Sequence, residues 1–120
     1  MAMTPKELLN QLMQTEGAMC AALVDSNSGM LLESVGTGVD LELAAAGNTE
    51  VVRAKMKTMK SLGMQGAIED ILISLTHQYH IIRPVAKHEG LFIYYVLDRA
   101  RSTLAMARRK VLEAEAQTAI

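Results

Sequence analysis

Cysteine and aromatic residues are scarce in this sequence. Its 120 residues include one cysteine, no tryptophan and four aromatic side chains, Phe92, Tyr79, Tyr94 and Tyr95. A single cysteine, Cys20, excludes an intramolecular disulfide framework and argues against a secreted, disulfide-stapled scaffold. We therefore expect a cytoplasmic protein in which Cys20 is a small apolar core residue.

The sequence also lacks long apolar runs and an excess of charge of one sign. Its longest apolar runs, residues 18–24 and 91–97, are much shorter than the roughly 20 residues that cross a bilayer, so no membrane span is predicted. The N-terminal residues do not read as a signal peptide. A formal net charge of −1 offers no overall attraction for nucleic acid. Apolar residues are abundant, at 50%, and predict a single globular domain over residues 1–120.

Three helices are predicted from capping residues and apolar spacing. A capping box of Thr4 and Glu7 opens the first helix, which ends near Gly17. Asp40 caps a second helix that continues to about residue 62, and Asp98 caps the third. Apolar stripes are expected on the second and third helices, formed by Ala45, Val52, Met56 and Met59, and by Leu104, Ala107, Val111 and Leu112.

Five strands are predicted, at residues 18–24, 30–35, 67–76, 79–85 and 91–97. The breaks between the last three are so short that only antiparallel hairpins can use them. The strand at 91–97 is apolar on both alternating faces, so it should lie mid-sheet with helices on both sides. The order helix, two strands, helix, three strands, helix predicts an α+β fold and disfavours a doubly wound nucleotide-binding fold.

Local patterns that resemble ligand sites have simpler structural explanations. The glycines Gly36 and Gly38 precede a helix but lack the rest of a phosphate-binding motif, which favours a strand-to-helix turn. Residues 25–29 begin like a calcium loop without its later carboxylate, and favour a hairpin turn. His77 and His80 are three apart, a spacing that directs strand side chains to opposite faces. No catalytic residue, cofactor or metal is therefore predicted.

The third strand offers a physical reason for self-association. Residues 68–75, with the sequence IEDILISL, open the final meander and can form a sheet edge. An exposed apolar edge is an aggregation hazard unless it is covered or paired with another chain. Pairing with a twofold copy would extend the sheet across two subunits and bring the two long helices together. Homodimerisation is therefore expected.

The predicted element order and several stretches carry a family resemblance. These stretches are residues 25–30 (DSNSGM), 44–48 (AAAGN), 69–73 (EDILI) and 79–84 (YHIIRP). Together they resemble the Roadblock/dynein light-chain family, and look like its small single-domain bacterial members. The resemblance spans nearly the whole chain, and none of its motifs is a catalytic signature.

The resemblance implies a three-layer α/β/α sandwich of the Roadblock/profilin-like type. Its five-stranded antiparallel sheet would have the order 2-1-5-4-3, with the long helix on one face and the terminal helices on the other. It also implies homodimers or heterodimers through the third strand and the second helix. On this sequence the expected dimer-interface residues are Asn48, Val52, Lys55, Met59, Ile68, Asp70, Leu72 and Ser74.

Family members act as non-enzymatic platforms or regulators of small Ras-like GTPases, including a bacterial GTPase-activating member of the gliding-motility system, and as dynein accessory chains. The resemblance therefore implies a non-enzymatic homodimer with a small GTPase as partner. We expect that partner on the basic face of the second helix, at Arg53, Lys57 and Lys60. No arginine finger is evident, so none of these residues is assigned catalysis. The alternatives are a small-molecule-sensing module and a structural adaptor without a GTPase partner.

Overall fold

The computed structural model describes residues 3–117, in which eight elements follow in the predicted order. The helices are α1 (Pro5–Leu12), α2 (Leu41–Ser61) and α3 (Leu104–Gln117). The strands are β1 (Ala18–Asp25), β2 (Met30–Gly36), β3 (Ile71–Ser74), β4 (Gln78–Pro84) and β5 (Leu91–Asp98).

All five strands form one antiparallel sheet in the order β2-β1-β5-β4-β3, which confirms the expected topology. The central strand is β5, and its residues 91–97 are all buried. A strand that is apolar on both faces is stable only where both faces are covered, so its sequence fits this central place. Three of the four aromatic side chains, Phe92, Tyr94 and Tyr95, lie on it.

Helices cover both faces of the sheet, as expected for the three-layer sandwich. On one face α2 contributes Ala45 and Val52 to a core that includes Cys20, Ala22, Val24, Ile82, Phe92, Tyr94 and Val96. On the other face α1 and α3 pack over a second core, which includes Leu8, Leu9, Leu12, Leu23, Ile81, Ile93, Tyr95, Ala107 and Val111. The alternation of side chains along each strand assigns them to these two cores.

Two of the predicted helix starts are confirmed in atomic detail. The Thr4 hydroxyl accepts a hydrogen bond from the Glu7 N–H at 3.2 Å, and the Glu7 carboxylate accepts one from the Thr4 N–H at 3.0 Å. The Asp40 carboxylate accepts from the Leu43 N–H at 3.2 Å. Each contact satisfies a backbone donor that the first turn of a helix leaves without a partner.

The predicted end of the first helix and start of the last were wrong. Helix α1 ends at Leu12 rather than near Gly17, because the Tyr95 hydroxyl donates to the Leu12 carbonyl at 2.7 Å and the next residues turn away. Asp98 ends β5 and does not cap α3, which begins six residues later. Its N–H donates to the Gly17 carbonyl at 2.7 Å, and its carboxylate accepts from the Ala100 N–H at 3.0 Å.

The third strand is shorter than the predicted residues 67–76. Residues 67–70 leave the sheet because the Asp70 carboxylate binds the Arg108 guanidinium of α3, with a closest N–O distance of 2.9 Å. On β4 the last residue paired with β3 is Ile82, and Pro84 beyond it has no N–H to offer a neighbouring strand. Strand β3 therefore has only four residues.

Part of the predicted apolar stripes was also wrong. Leu112 of α3 is 48% exposed, and Ala114 and Glu115 are buried in its place. Met56 of α2 is 54% exposed. Helical spacing gives the relative angle of side chains, but not the length over which a helix touches the sheet.

Candidate protein interface

The two edges of the sheet are protected differently. On β2, the Lys6 ammonium of α1 donates to the Ser34 carbonyl at 2.9 Å and lies 3.5 Å from the Glu33 carboxylate. A lysine across an edge strand blocks pairing with another chain. On β3, hydrogen-bonded pairing within residues 3–117 is to β4 alone. Each edge strand thus has one strand neighbour among the residues described, and the β2 edge is in addition partly covered by Lys6.

The β3 edge is apolar and incompletely covered. Ile71, Leu72 and Ile73 are half-buried, and Leu75, which follows the strand, is 42% exposed. The register places Ile71 and Ile73 beside Ile82 and His80 of β4. These two isoleucines lie on the sheet face that α2 also occupies, since Ile71 and Ile82 pack in the core beneath α2.

Only the first half of α2 packs on the sheet. Ala45, Thr49 and Val52 are its buried residues, and no residue of α2 after Val52 is buried. The second half carries the exposed Met56 and leads to Leu62, which is 67% exposed. A helix of 21 residues that uses about half its length for its own core leaves apolar surface for another molecule.

Contacts distinguish the two flanks of α2. On one flank, the Asn48 amide group lies next to the Tyr94 hydroxyl of β5 and donates to the Ala44 carbonyl at 2.8 Å. This flank faces the strands that lead to the β3 edge. On the other flank, the Arg53 guanidinium donates to the Asn27 carbonyl in the β1–β2 turn at 2.7 Å. The two flanks therefore present separate surfaces.

A groove of about 850 Å³ lies between the second half of α2 and the β4–β5 hairpin. Its apolar lining includes Val52, Met56, Met59, Met64, Ile68 and Phe92. Unbranched methionine side chains adapt to irregular shapes and are frequent at binding surfaces. The groove joins the exposed half of α2 to the residues that precede β3.

A chain of hydrogen bonds crosses the sheet beside the β3 edge. The Tyr94 hydroxyl lies 2.9 Å from His80 Nδ1, and His80 Nε2 lies 2.7 Å from Gln78 Oε1. The two rings meet edge to face, with centroids 5.5 Å apart. Burial lowers the pKa of His80 and raises the pKa of Tyr94, and the neighbouring Asn48 partly offsets the second effect. Both ring nitrogens of a half-buried histidine are thus occupied.

The expected dimer-interface residues of α2 occupy different environments. Asn48 and Met59 are half-buried, and Lys55 is exposed. Asn48 and Lys55 are seven residues apart and therefore share one flank. Val52 is 4% exposed and packs in the core of its own chain, so it offers little surface to a second subunit.

The expected interface residues around β3 lie along the free edge. Leu72 and Ser74 are on the strand, with Leu72 half-buried against the α1 and α3 core and Ser74 exposed. Ile68 lines the groove before the strand. The Asp70 side chain is 17% exposed and points towards α3, where it forms an ion pair with Arg108.

The expected partner-binding residues share the other flank of α2. Arg53, Lys57 and Lys60 are exposed. Arg53 is already bonded to the Asn27 carbonyl and lies 3.7 Å from the Glu50 carboxylate, while Lys60 lines the groove. On α3, Arg109 and Lys110 both lie within 4.0 Å of the single carboxylate of Glu113.

Two polar pairs were missed in the sequence. His80 and Gln78 lie two residues apart on one face of a strand, a spacing that allows the hydrogen bond between them. Arg83 of β4 and Glu115 of α3 form a nearly buried ion pair, with side chains 14% and 7% exposed. Their separation of 32 residues gave no signal, because contacts between elements depend on packing.

The described residues show neither a metal-binding cluster nor a membrane-spanning helix. Among residues 3–117, no group of three or more His, Cys, Asp or Glu side chains is placed to hold a metal ion. None of the helices there is long and apolar enough to cross a bilayer. The Cys20 thiol is fully buried, which raises its pKa to about 11 and makes it an unreactive core group.

The topology and the layered helices define a Roadblock fold. A Roadblock/LC7 domain from Streptomyces avermitilis superposes with a TM-score of 0.80 at 14% identity, over 95% of this chain and 93% of that chain. The gliding protein MglB from Thermus thermophilus gives a TM-score of 0.77 at 18% identity, over 91% and 81% of the two chains. An MglB structure with a tetrameric arrangement gives 0.78 at 18% identity, over 91% and 80%.

No protein-family model matches the sequence, and no protein of curated function matches it significantly. The likeness to known proteins is therefore one of fold, at identities of 14 to 18%.

Proposed function

We propose that this chain is a non-enzymatic homodimer that binds or regulates a small Ras-like GTPase in the cytoplasm. The observation that carries the proposal is a Roadblock fold, shared with the gliding protein MglB, that leaves one apolar sheet edge and half of a long helix without a partner. Asn48 and Lys55 lie on the flank of α2 opposite Arg53 and Lys57, which leaves room for self-association and partner binding together, whereas Met59 and Ile68 share the groove with Arg53 and Lys60.

The β3 edge is the proposed dimer contact. A second copy related by a twofold axis would pair β3 with its own copy and extend the sheet, which satisfies the edge N–H and C=O groups. The apolar residues on and near this edge, Leu72, Ile73 and Leu75, would lose solvent contact. The neighbouring flank of α2, with Asn48 and Lys55, would then face the second subunit.

A lysine placed on the edge tests this contact. Ile73→Lys adds a charge to the half-buried β3 edge, and Leu32→Lys adds the same charge to the protected β2 edge, where Leu32 is 50% exposed. Sedimentation equilibrium should show a dimer for the unchanged protein and for Leu32→Lys, and at least a tenfold higher Kd for Ile73→Lys. A monomer at tens of micromolar, an ordinary concentration range for such affinities, would contradict the proposal.

The flank with Arg53, Lys57 and Lys60 is the proposed GTPase-binding surface. Exposed cations on one flank attract an acidic surface of a partner and raise the rate at which the two proteins associate. Lys57 lies between the other two on this flank and is exposed, so its side chain can reach a partner without disturbing the fold.

A charge reversal tests this surface. The protein and its Lys57→Glu variant would be used to capture partners from the native cytoplasm, with Lys110→Glu on α3 as the matched control. We expect a small GTPase with the unchanged protein and with Lys110→Glu, and about a tenfold loss with Lys57→Glu. A GTPase captured equally by all three would overturn the surface assignment, and capture without any GTPase would overturn the proposed partner.

The groove favours one alternative function, a small-molecule-sensing module. Its volume of about 850 Å³ lies within the range of roughly 300–1,000 Å³ that is typical of ligand pockets, and its lining is mainly apolar. Native mass spectrometry of the purified protein tests this alternative. A co-purifying small molecule that is lost in Met56→Glu would support it.

A further inference from the structure

The position of His80 links the proposed self-association to pH. His80 lies on β4, directly opposite Ile73 of the free β3 edge, and its ring is on the sheet face that α2 shares. The ring is half-buried in the single chain. A second copy joined at the β3 edge would cover this position further. This inference rests on the proposed dimer.

The hydrogen bonds at His80 fit a neutral ring. The Gln78 Oε1 atom can only accept, so His80 Nε2 must carry a hydrogen and donate to it over 2.7 Å. The Gln78 amide orientation is supported by its other atom, Nε2, which lies 3.8 Å from the Met19 sulfur. In the neutral ring Nδ1 then has no hydrogen, and it accepts from the Tyr94 hydroxyl at 2.9 Å.

A proton added at His80 would go to Nδ1 and reverse this last hydrogen bond. The Tyr94 hydroxyl would have to rotate and act as acceptor. The His80 ring would then carry a positive charge on the sheet face that α2 also occupies. Its cross-strand neighbours are apolar, Ile73 on β3 and Val96 on β5. Burial of a charge without an opposite charge is unfavourable.

The surrounding elements supply no compensating anion. Among residues 3–117, His80 forms no ion pair with a carboxylate, and Tyr94 is the titratable side chain in contact with it. Helix α2 presents the neutral Asn48 to Tyr94 and, two turns later on the same flank, the cation of Lys55.

We propose that self-association requires His80 to be neutral, so that mild acidification separates the subunits. The dimer would bind fewer protons than two separate chains, because the covered ring resists protonation more strongly. Stability of the dimer is then complete at high pH and is lost as the pH falls through the pKa of His80 in the separate chain.

The size of the effect follows from two equivalent rings in each dimer. Two protons bind when one dimer dissociates. Between the pKa of His80 in the dimer and its pKa in the separate chain, a fall of one pH unit can therefore raise Kd by up to about 100-fold. Burial already holds the pKa of His80 below its usual value in the separate chain. We expect Kd to rise by a factor of about three or more between pH 7.5 and pH 5.5, a range above the usual carboxylate pKa values of about 4.

Sedimentation equilibrium at pH 7.5 and pH 5.5 tests the proposal with matched variants. His80→Gln keeps a donor and an acceptor but cannot take up a proton, so its Kd should be nearly the same at both pH values. His77→Gln and His88→Gln replace exposed histidines and should retain the full pH dependence. An unchanged Kd in the original protein, or an unchanged pH dependence in His80→Gln, would overturn the inference while leaving the dimer intact.

If the His80→Gln variant fails to fold, a second measurement on the original protein tests the inference. The pKa of His80 is read from its ring resonances by NMR at low and high concentration of the original protein. It should fall as the dimer fraction rises. The same pKa in monomer and dimer would overturn the inference, whereas a monomer at every pH and concentration would overturn the proposed dimer itself.

Discussion

The guanidinium of Arg83 donates two hydrogen bonds to the same carboxylate oxygen of Glu115, from Nε at 3.3 Å and from Nη2 at 3.1 Å. This pair joins β4 to α3 in a place where both side chains are nearly buried. Attraction between two such charges is offset by the loss of their hydration, so the pair fixes how α3 docks more than it adds stability.

Removal of one partner should therefore lower the free energy of unfolding much more than removal of both. Glu115→Leu leaves Arg83 as an uncompensated charge, and we expect a loss of about 3–5 kcal/mol in the free energy of unfolding. The double variant Arg83→Met/Glu115→Leu should recover most of that loss. Urea unfolding followed by circular dichroism measures all three proteins.

The exposed pair of Arg109 and Glu113 provides the control for this prediction. Its side chains are 72% and 48% exposed, so Arg109→Met should change the free energy of unfolding by less than about 1 kcal/mol. Equal losses for Glu115→Leu and for Arg109→Met would contradict the assignment of a buried pair.

Two glycine substitutions should have opposite effects. Gly36 has a φ of +83°, and a Cβ there would lie 2.7 Å from the Cys20 Cα and would also meet the Met19 carbonyl oxygen. Gly36→Ala should therefore destabilise the fold by at least about 1–2 kcal/mol, through backbone strain and overlap. Gly47 lies inside α2, and a Cβ there meets nothing within 4 Å.

Gly47→Ala should stabilise the chain by about 0.5–1 kcal/mol, because alanine loses less backbone freedom in a helix. Thermal unfolding of the two variants side by side gives the comparison. A destabilised Gly47→Ala would contradict the open surroundings of this position.

The Cys20 thiol should make stability fall in alkaline solution. Its pKa is raised to about 11 by burial, so the folded chain favours the neutral thiol. The associated stability is complete below the ordinary thiol pKa of about 8.5 and is lost as the pH rises towards 11. Cys20→Ala should weaken the decline in urea midpoint between pH 8.5 and pH 10.5.

Chemical reactivity gives an independent measure of the same burial. A thiol reagent at pH 8 should modify native Cys20 only as fast as the chain opens, and should modify it rapidly in urea. Fast modification of the native protein would contradict the placement of Cys20 in the core.

The element order could be predicted because the information is local. Caps at Thr4 and Asp40 and the turn at residues 25–29 are decided by residues a few positions apart. The doubly apolar run at residues 91–97 can be stable only at the centre of a sheet, and β5 lies there. The strand order itself came from the family resemblance.

The errors occurred where a distant residue competed with a local preference. At the end of α1, the Tyr95 hydroxyl donates a hydrogen bond to the Leu12 carbonyl. Before β3, Asp70 forms an ion pair with Arg108 of α3 and does not continue the strand. Asp98 is a good cap in isolation, but its N–H is bonded to Gly17 at the end of β5. None of these partners is visible in a local window of sequence.

The sequence by itself determined the elements, their order and the apolar character of the third strand and second helix, because periodicity and capping act over a few residues. The tertiary structure alone decided which sheet edge is free, which half of α2 is uncovered and how His80 is bonded. Those features depend on side chains that meet from different elements. Packing brings Lys6 to the Ser34 carbonyl within β2, whereas at β3 the Arg99 guanidinium reaches only the Leu75 carbonyl after the end of the strand.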